Sequence, residues 1–169
     1  GFASHIAIKE DPTNPINLNG VDLDLEPSGS SWTQDPLIRL LTKCKQRWGS
    51  SFLVQLTPGL YSPYTALWMT FCQALGAGFD LISPMLYDFP ESKTYAQLMP
   101  VIRDKINTMS TQGGVPDSKI MLGLMLQPNK AYSASPASVI AKVVQPTMSA
   151  TPNLAGVVLG EDSVGSDQG

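Results

Sequence analysis

Short apolar runs separated by longer stretches of helical periodicity recur along nearly the whole chain, and this alternation limits the fold more than any single residue. Strands are expected over Leu18–Glu26, Phe52–Thr57, Phe79–Tyr87, Lys119–Leu126 and Leu154–Leu159. Apolar residues three and four apart mark helices between them. In Thr33–Trp48 these are Leu37, Leu40, Leu41 and Cys44, with Pro36 in the first turn and Gly49 as the stop. Tyr64–Leu75 is closed by Gly76 and Gly78, Lys93–Gln112 carries Pro100 as an expected kink or division, and Ser135–Val144 has Ser135 as cap and Pro136 as first residue. Strands alternating with helices pair in parallel, so the class is α/β. No linker or low-complexity tract divides residues 1–169, which read as one domain, and the polar tail from Glu161 is expected to fray.

Composition removes several functions. Charged residues make up 15% of the 169, below the roughly 25% of ordinary soluble domains. A net charge of −3 gives no electrostatic reason to expect nucleic acid or an anionic membrane as partner. No apolar run approaches the ~18 residues of a spanning helix. With His5 as the single histidine and two cysteines, a His/Cys zinc site lacks ligands, and a Ser–His–Asp triad would have to use His5 at the start of the chain. No phosphate-binding glycine loop occurs, and no cofactor is expected. Cys44 and Cys72 lie on consecutive helices, and both a disulfide and two buried thiols fit that placement.

The chemistry concentrates in Asn19-Gly20-Val21-Asp22-Leu23-Asp24-Leu25-Glu26. Strand side chains alternate in direction, so Asp22, Asp24 and Glu26 share one face and Val21, Leu23 and Leu25 the other. Carboxylates crowded at steps of about 7 Å repel each other, which favours retention of protons. A carboxyl kept protonated near neutral pH can act as a general acid. Glu26 stands at the carboxyl end of the strand, where α/β active sites lie, and is the candidate donor. Asp24 would be its partner and Asp22 the deeper group that tunes Asp24. The regular Leu/Val alternation predicts a strand packed on both sides; the alternatives are an edge strand with a solvated acidic face and a Ca²⁺ or Mg²⁺ site.

This segment resembles the D-G-x-D-x-D-x-E signature of family 18 glycoside hydrolases, the chitinases and endo-β-N-acetylglucosaminidases. Ser83-Pro84-Met85-Leu86-Tyr87-Asp88-Phe89 resembles the family's sixth barrel strand with its M-x-Y-D core, and Gln55-Leu56-Thr57-Pro58 resembles the fifth. Ile120–Leu124 and Ala155–Gly160 resemble the seventh and eighth. The resemblance runs from the fourth strand onward. It implies a TIM (β/α)₈ barrel, of which this chain is a partial one holding strands 4 to 8. It also implies hydrolysis of β-1,4-linked N-acetylglucosamine polymers, chitin or chito-oligosaccharides, with the substrate's own acetamido group as nucleophile. Carried over, Glu26 protonates the glycosidic oxygen, Asp24 orients the acetamido N–H, Asp22 shares a proton with Asp24, and Tyr87 donates to the acetamido oxygen. Met85 lines the sugar pocket, Asp88 bonds sugar hydroxyls, and an extracellular, secreted protein is implied.

The chain departs from the family pattern at Asn19, which replaces the leading Asp, and at Leu159-Gly160-Glu161-Asp162, where the family has a Trp. Nothing matches the first three strands. A whole barrel takes roughly 250 residues, so the chain is expected to be a fragment of a longer polypeptide or to pair with a chain that supplies the missing strands. The alternative function is a non-catalytic chitinase-like module, sugar-binding or structural; an open-sheet protein whose acidic strand binds a metal is a third reading. Trp32, in the loop after Glu26, and Gln55 are candidate substrate contacts, with a structural hydrogen bond equally open for Gln55. Tyr61 and Tyr64 follow the fifth strand, whereas Trp68 reads as core and Trp48 as packing.

Overall fold

The computed structural model describes residues 19–25, 34–61, 64–87, 94–125 and 136–160. Strand β1 (Gly20–Leu25) leads through α1 (Gln34–Trp48) to β2 (Leu53–Pro58), then through α2 (Tyr64–Leu75) to β3 (Leu81–Ile82). Helix α3 (Tyr95–Thr111) precedes β4 (Met121–Met125), and α4 (Pro136–Val139), a π turn (Ile140–Val144) and α5 (Gln145–Ala150) precede β5 (Gly156–Gly160). Every pairing is parallel: β1 with β2, β2 with β3, β4 with β5. Isolated bridges Ile82↔Ile120 and Met85↔Gly123 join the β3 segment to β4. The strand order is therefore the chain order, and among the described residues β1 and β5 are the outer strands.

The core lies between the sheet and the helices. Val54 and Leu56 of β2, fully buried, meet Leu41 of α1 and Trp68 and Phe71 of α2. Helix α3 contributes Leu98, Ile102, Ile106 and Met109 from one stripe, the spacing of a helix face turned to a core. Its start is secured by a capping box, with Gln97 N–H donating to Thr94 Oγ1 and the Thr94 N–H donating to Gln97 Oε1. At the amino ends of the strands, Asp80 accepts from Lys45 Nζ at 2.5 Å and from Val54 N–H at 2.7 Å, tying α1 and β2 to the start of β3.

Several elements differ from the sequence expectation, three of them at prolines. The expected strand Phe79–Tyr87 is regular only over Leu81–Ile82. Ser83 and Met85 N–H still donate to Leu56 and Pro58 on the β2 side, and Leu86 N–H donates to Gly123 on the β4 side. Pro84 belongs to the β4-facing set and has no N–H, so one rung is missing there. Helix α3 runs unbroken through Pro100, whose ring is exposed. The last helix continues past Val144 to Ala150: Gln145 N–H donates to Ile140, a π-type step that carries the helix over Pro146. Leu40 is 39% exposed rather than buried with Leu41, and Trp48 is 53% exposed, stacking on Phe52. Strand β1 is not packed on both sides among the described residues. Val21 and Leu23 lie against the core, while Asp22 and Asp24 are exposed.

Cys44 and Cys72 are buried free thiols. Burial pushes the Cys72 thiol from its ordinary 9.0 up to about 12, and raises that of Cys44 as well. Between those pH values the unfolded chain releases a proton that folded Cys72 keeps, so stability is full below pH 9 and falls as pH rises. Urea midpoints at pH 8 and pH 10 should show a loss of about 1 kcal/mol from Cys72, so that the total loss is smaller in Cys72→Ala; an equal loss in the variant contradicts the assignment.

Candidate active site

Period-two alternation sends one set of side chains from each strand under the helices and the other set to the opposite face. On β2 the buried residues Val54 and Leu56 face the core, and the half-buried Gln55 and Thr57 face away. On β1 Asp22 and Asp24 point the same way as Gln55 and Thr57, and in register Asp22 pairs with Gln55 and Asp24 with Thr57. Beyond β3, Ser83, Met85 and Tyr87 alternate with Pro84 and Leu86. A cavity of about 140 Å³ opens on this face, lined by Asp22, Thr57, Ser83, Met85, Tyr87, Gly123, Leu124 and Val158. All five strand segments contribute, so the sheet curves around the cavity. Its volume is far below the ~300–1,000 Å³ of a site that encloses a drug-sized ligand, and it suits a small substituent.

Hydrogen bonds connect the lining. Thr57 Oγ1 donates to Asp22, 2.8 Å from Oδ1 and 3.0 Å from Oδ2. Thr57 Oγ1 and Ser83 Oγ are 3.2 Å apart. Gln55 Nε2 donates to Ser83 Oγ at 3.2 Å. Gly123 admits the close approach of β4 to the β3 segment, because a Cβ there would collide with the Pro84 carbonyl oxygen.

The site thus gathers Asp22, Met85 and Tyr87 from the sequence-derived set. Met85 is buried and Tyr87 half-buried. Asp24 stands two residues beyond Asp22 on the same exposed face. Gln55 holds Ser83 rather than lining the cavity. Glu26, Trp32 and Asp88 lie outside the described residues, as does His5. Thr57 and Ser83 are the residues sequence reasoning missed. The signal was present, since Thr57 is two residues from Gln55 and Ser83 two from Met85. Among the described residues no three His, Cys, Asp or Glu side chains are grouped to hold a metal.

A roomier cavity of about 540 Å³ lies near the amino ends of β3 and β4, lined by residues that include Cys72, Gln73, Phe79, Pro116 and Lys119. Its polar side chains serve the backbone: Gln73 Nε2 donates to Gln112 and Lys119 Nζ to Phe79, each at 2.5 Å. Among the described residues no carboxylate lines it. Active sites of parallel α/β folds lie at the opposite, carboxyl end of the strands.

No protein-family model matches the chain, and no curated protein does. Solved structures do. A GH18 chitinase from Pseudoalteromonas aurantia superposes with a TM-score of 0.66 at 19% identity, over 85% of this chain and 56% of the chitinase. A fungal endo-β-N-acetylglucosaminidase from glycosyl hydrolase family 18 gives 0.61 at 21%, over 85% and 48%. Concanavalin B gives 0.65 at 21%, over 89% and 53%. The likeness is one of fold: the chain has a family 18 glycoside hydrolase-like fold and spans about half the length of these structures.

Because Gly123 sits where two strands close, Gly123→Ala should lower stability by about 1–3 kcal/mol through overpacking. A urea midpoint equal to that of the parent would show that the β3–β4 contact is looser than described.

Proposed function

We propose that this chain forms part of a glycoside hydrolase domain that cleaves β-1,4-linked N-acetylglucosamine polymers, chitin or chito-oligosaccharides, by a substrate-assisted retaining mechanism. The observation that carries the reading is the convergence of Asp22, Met85 and Tyr87 on one small cavity, in a fold shared with a chitinase and an endo-β-N-acetylglucosaminidase. A cavity of about 140 Å³ suits an acetamido substituent better than a whole sugar ring. Glu26 gives its proton to the glycosidic oxygen as the bond to the anomeric carbon breaks. The acetamido oxygen of the same sugar closes on that carbon, Asp24 takes up the developing positive charge at the acetamido N–H, and Tyr87 donates to the acetamido oxygen. Water then attacks the anomeric carbon, passes a proton to Glu26 and releases the acetamido group. Two inversions leave the configuration retained. Asp22 acts on Asp24 as its neighbour, Met85 packs against the sugar, and Trp32 and Asp88 serve as sugar contacts.

In this reading the five strands are strands 4 to 8 of a TIM barrel in one catalytic domain. Further strands, from the same longer chain or from another, cover the edges of β1 and β5, which have no partner among the described residues. Unpaired edges invite association with other chains, so the 169 residues alone should sediment as oligomer or aggregate. A monomer with one sharp cooperative transition would remove the partial-barrel reading. A secreted protein fits a polymeric extracellular substrate. Among the described residues no helix is long and apolar enough to cross a membrane.

In the full-length polypeptide, Glu26→Gln should lower hydrolysis of a chromogenic chito-oligosaccharide by about 10²–10⁴ or more, with binding nearly unchanged. Cello-oligosaccharides, which lack the acetamido group, should not be cleaved. Substantial activity in the Gln variant, or equal turnover of both sugars, would sink the assignment. Retained chito-oligosaccharide binding with no turnover by the parent protein would favour the non-catalytic module.

A further inference from the structure

We infer that Thr57 is a positioning residue for Asp22, held in its role by Ser83 and Gln55. Counting protons gives the chain of bonds one direction. A Thr hydroxyl has a single hydrogen, and that of Thr57 goes to the Asp22 carboxylate. The 3.2 Å contact between Thr57 Oγ1 and Ser83 Oγ then requires Ser83 to donate. With its own hydrogen committed, Ser83 can only accept from Gln55, which the amide nitrogen at 3.2 Å supplies. Three neutral donors on β2 and the β3 segment therefore end on one carboxylate of β1.

This relay lies on the face away from the core. Val54 and Leu56 supply the packing of β2, and Gln55 and Thr57 have no part in it. Asp22 is exposed and belongs to an outer strand, so sheet packing alone leaves its carboxylate several rotamers. Thr57 lies within 3.0 Å of both oxygens and draws the carboxylate toward β2, into the cavity that also holds Met85 and Tyr87. Ser83, only 2% exposed, is fixed by its surroundings and gives Thr57 one hydroxyl orientation. Charge-assisted hydrogen bonds of this kind are about twice as strong as neutral ones, and a misplacement of about 1 Å in a reacting constellation costs up to about 10² in rate.

The kinetic side of the inference rests on the hydrolase reading above; the geometric side does not. Thr57→Val keeps the shape and β-branching of the side chain and removes the donor, whereas Thr57→Ser keeps the donor and removes the methyl. In the full-length polypeptide, Thr57→Val should lower kcat on a chito-oligosaccharide by about 10–100-fold with KM little changed, and Thr57→Ser should restore most of the loss. An unchanged kcat in the Val variant, or equal impairment of both variants, overturns the role. Crystal structures of the parent and the Val variant supply a readout independent of activity. The Asp22 carboxylate should rest on Thr57 in the parent and leave that position in the variant. A parent protein inactive on every chito-oligosaccharide yet showing this shift would refute the hydrolase reading and leave the relay standing. A parent carboxylate turned away from Thr57 would refute the relay whatever the activity.

Discussion

Burial of one face of the parallel sheet under its helices is the constraint on which the remaining features rest. Each strand must place its apolar residues on that side, and period two then commits the alternate residues to the other. On β2 this puts Val54 and Leu56 under α1 and α2 and leaves Gln55 and Thr57 to the concave face. On β1 it turns Val21 and Leu23 inward to the core and Asp22 outward from it. The polar layer is thus a by-product of core formation: once the helices are seated, the positions of the hydroxyls, the amide and the carboxylate follow within one side-chain rotation. This explains how exposed acidic residues can be held in a fixed relation without a deep pocket around them.

Two carboxylates of the sheet, Asp80 and Asp22, are held differently. Asp80, at the amino end, receives the Lys45 ammonium and the Val54 N–H, and so joins a helix to two strands. Asp22 receives a neutral hydroxyl and is exposed. Asp80 is engaged by a cation and a backbone N–H, whereas Asp22 is held from one side by a hydroxyl and stays open on the other.

Much of this architecture was legible from residue order. Helix α2 begins and ends where its periodicity and Gly76 place it, and the acidic alternation of β1 and the shared face of Met85 and Tyr87 follow from strand geometry. The differences gather at prolines, which act as local breakers in a sequence but are judged in the fold by where the missing N–H would have pointed. Pro100 turns its ring to solvent, Pro146 is passed by a π step, and Pro84 shortens a strand without ending its alignment. Thr57 and Ser83 were harder to see. Their significance depends on the cross-strand register that places Gln55 opposite Asp22, and register is a property of pairs of strands that no single segment encodes.

The missing rung at Pro84 has a mechanical consequence. β1 and β2 are paired along six successive residues, whereas β3 and β4 are joined at two isolated bridges. Resistance to shear between neighbouring strands grows with the number of bonds that cross the gap, so the β3–β4 seam is the compliant line of the sheet. Met85 and Gly123 form one of its two bridges and also line the cavity. The width of the cavity is therefore set across this seam, while Asp22 and Thr57 are carried by the continuous β1–β2 ladder.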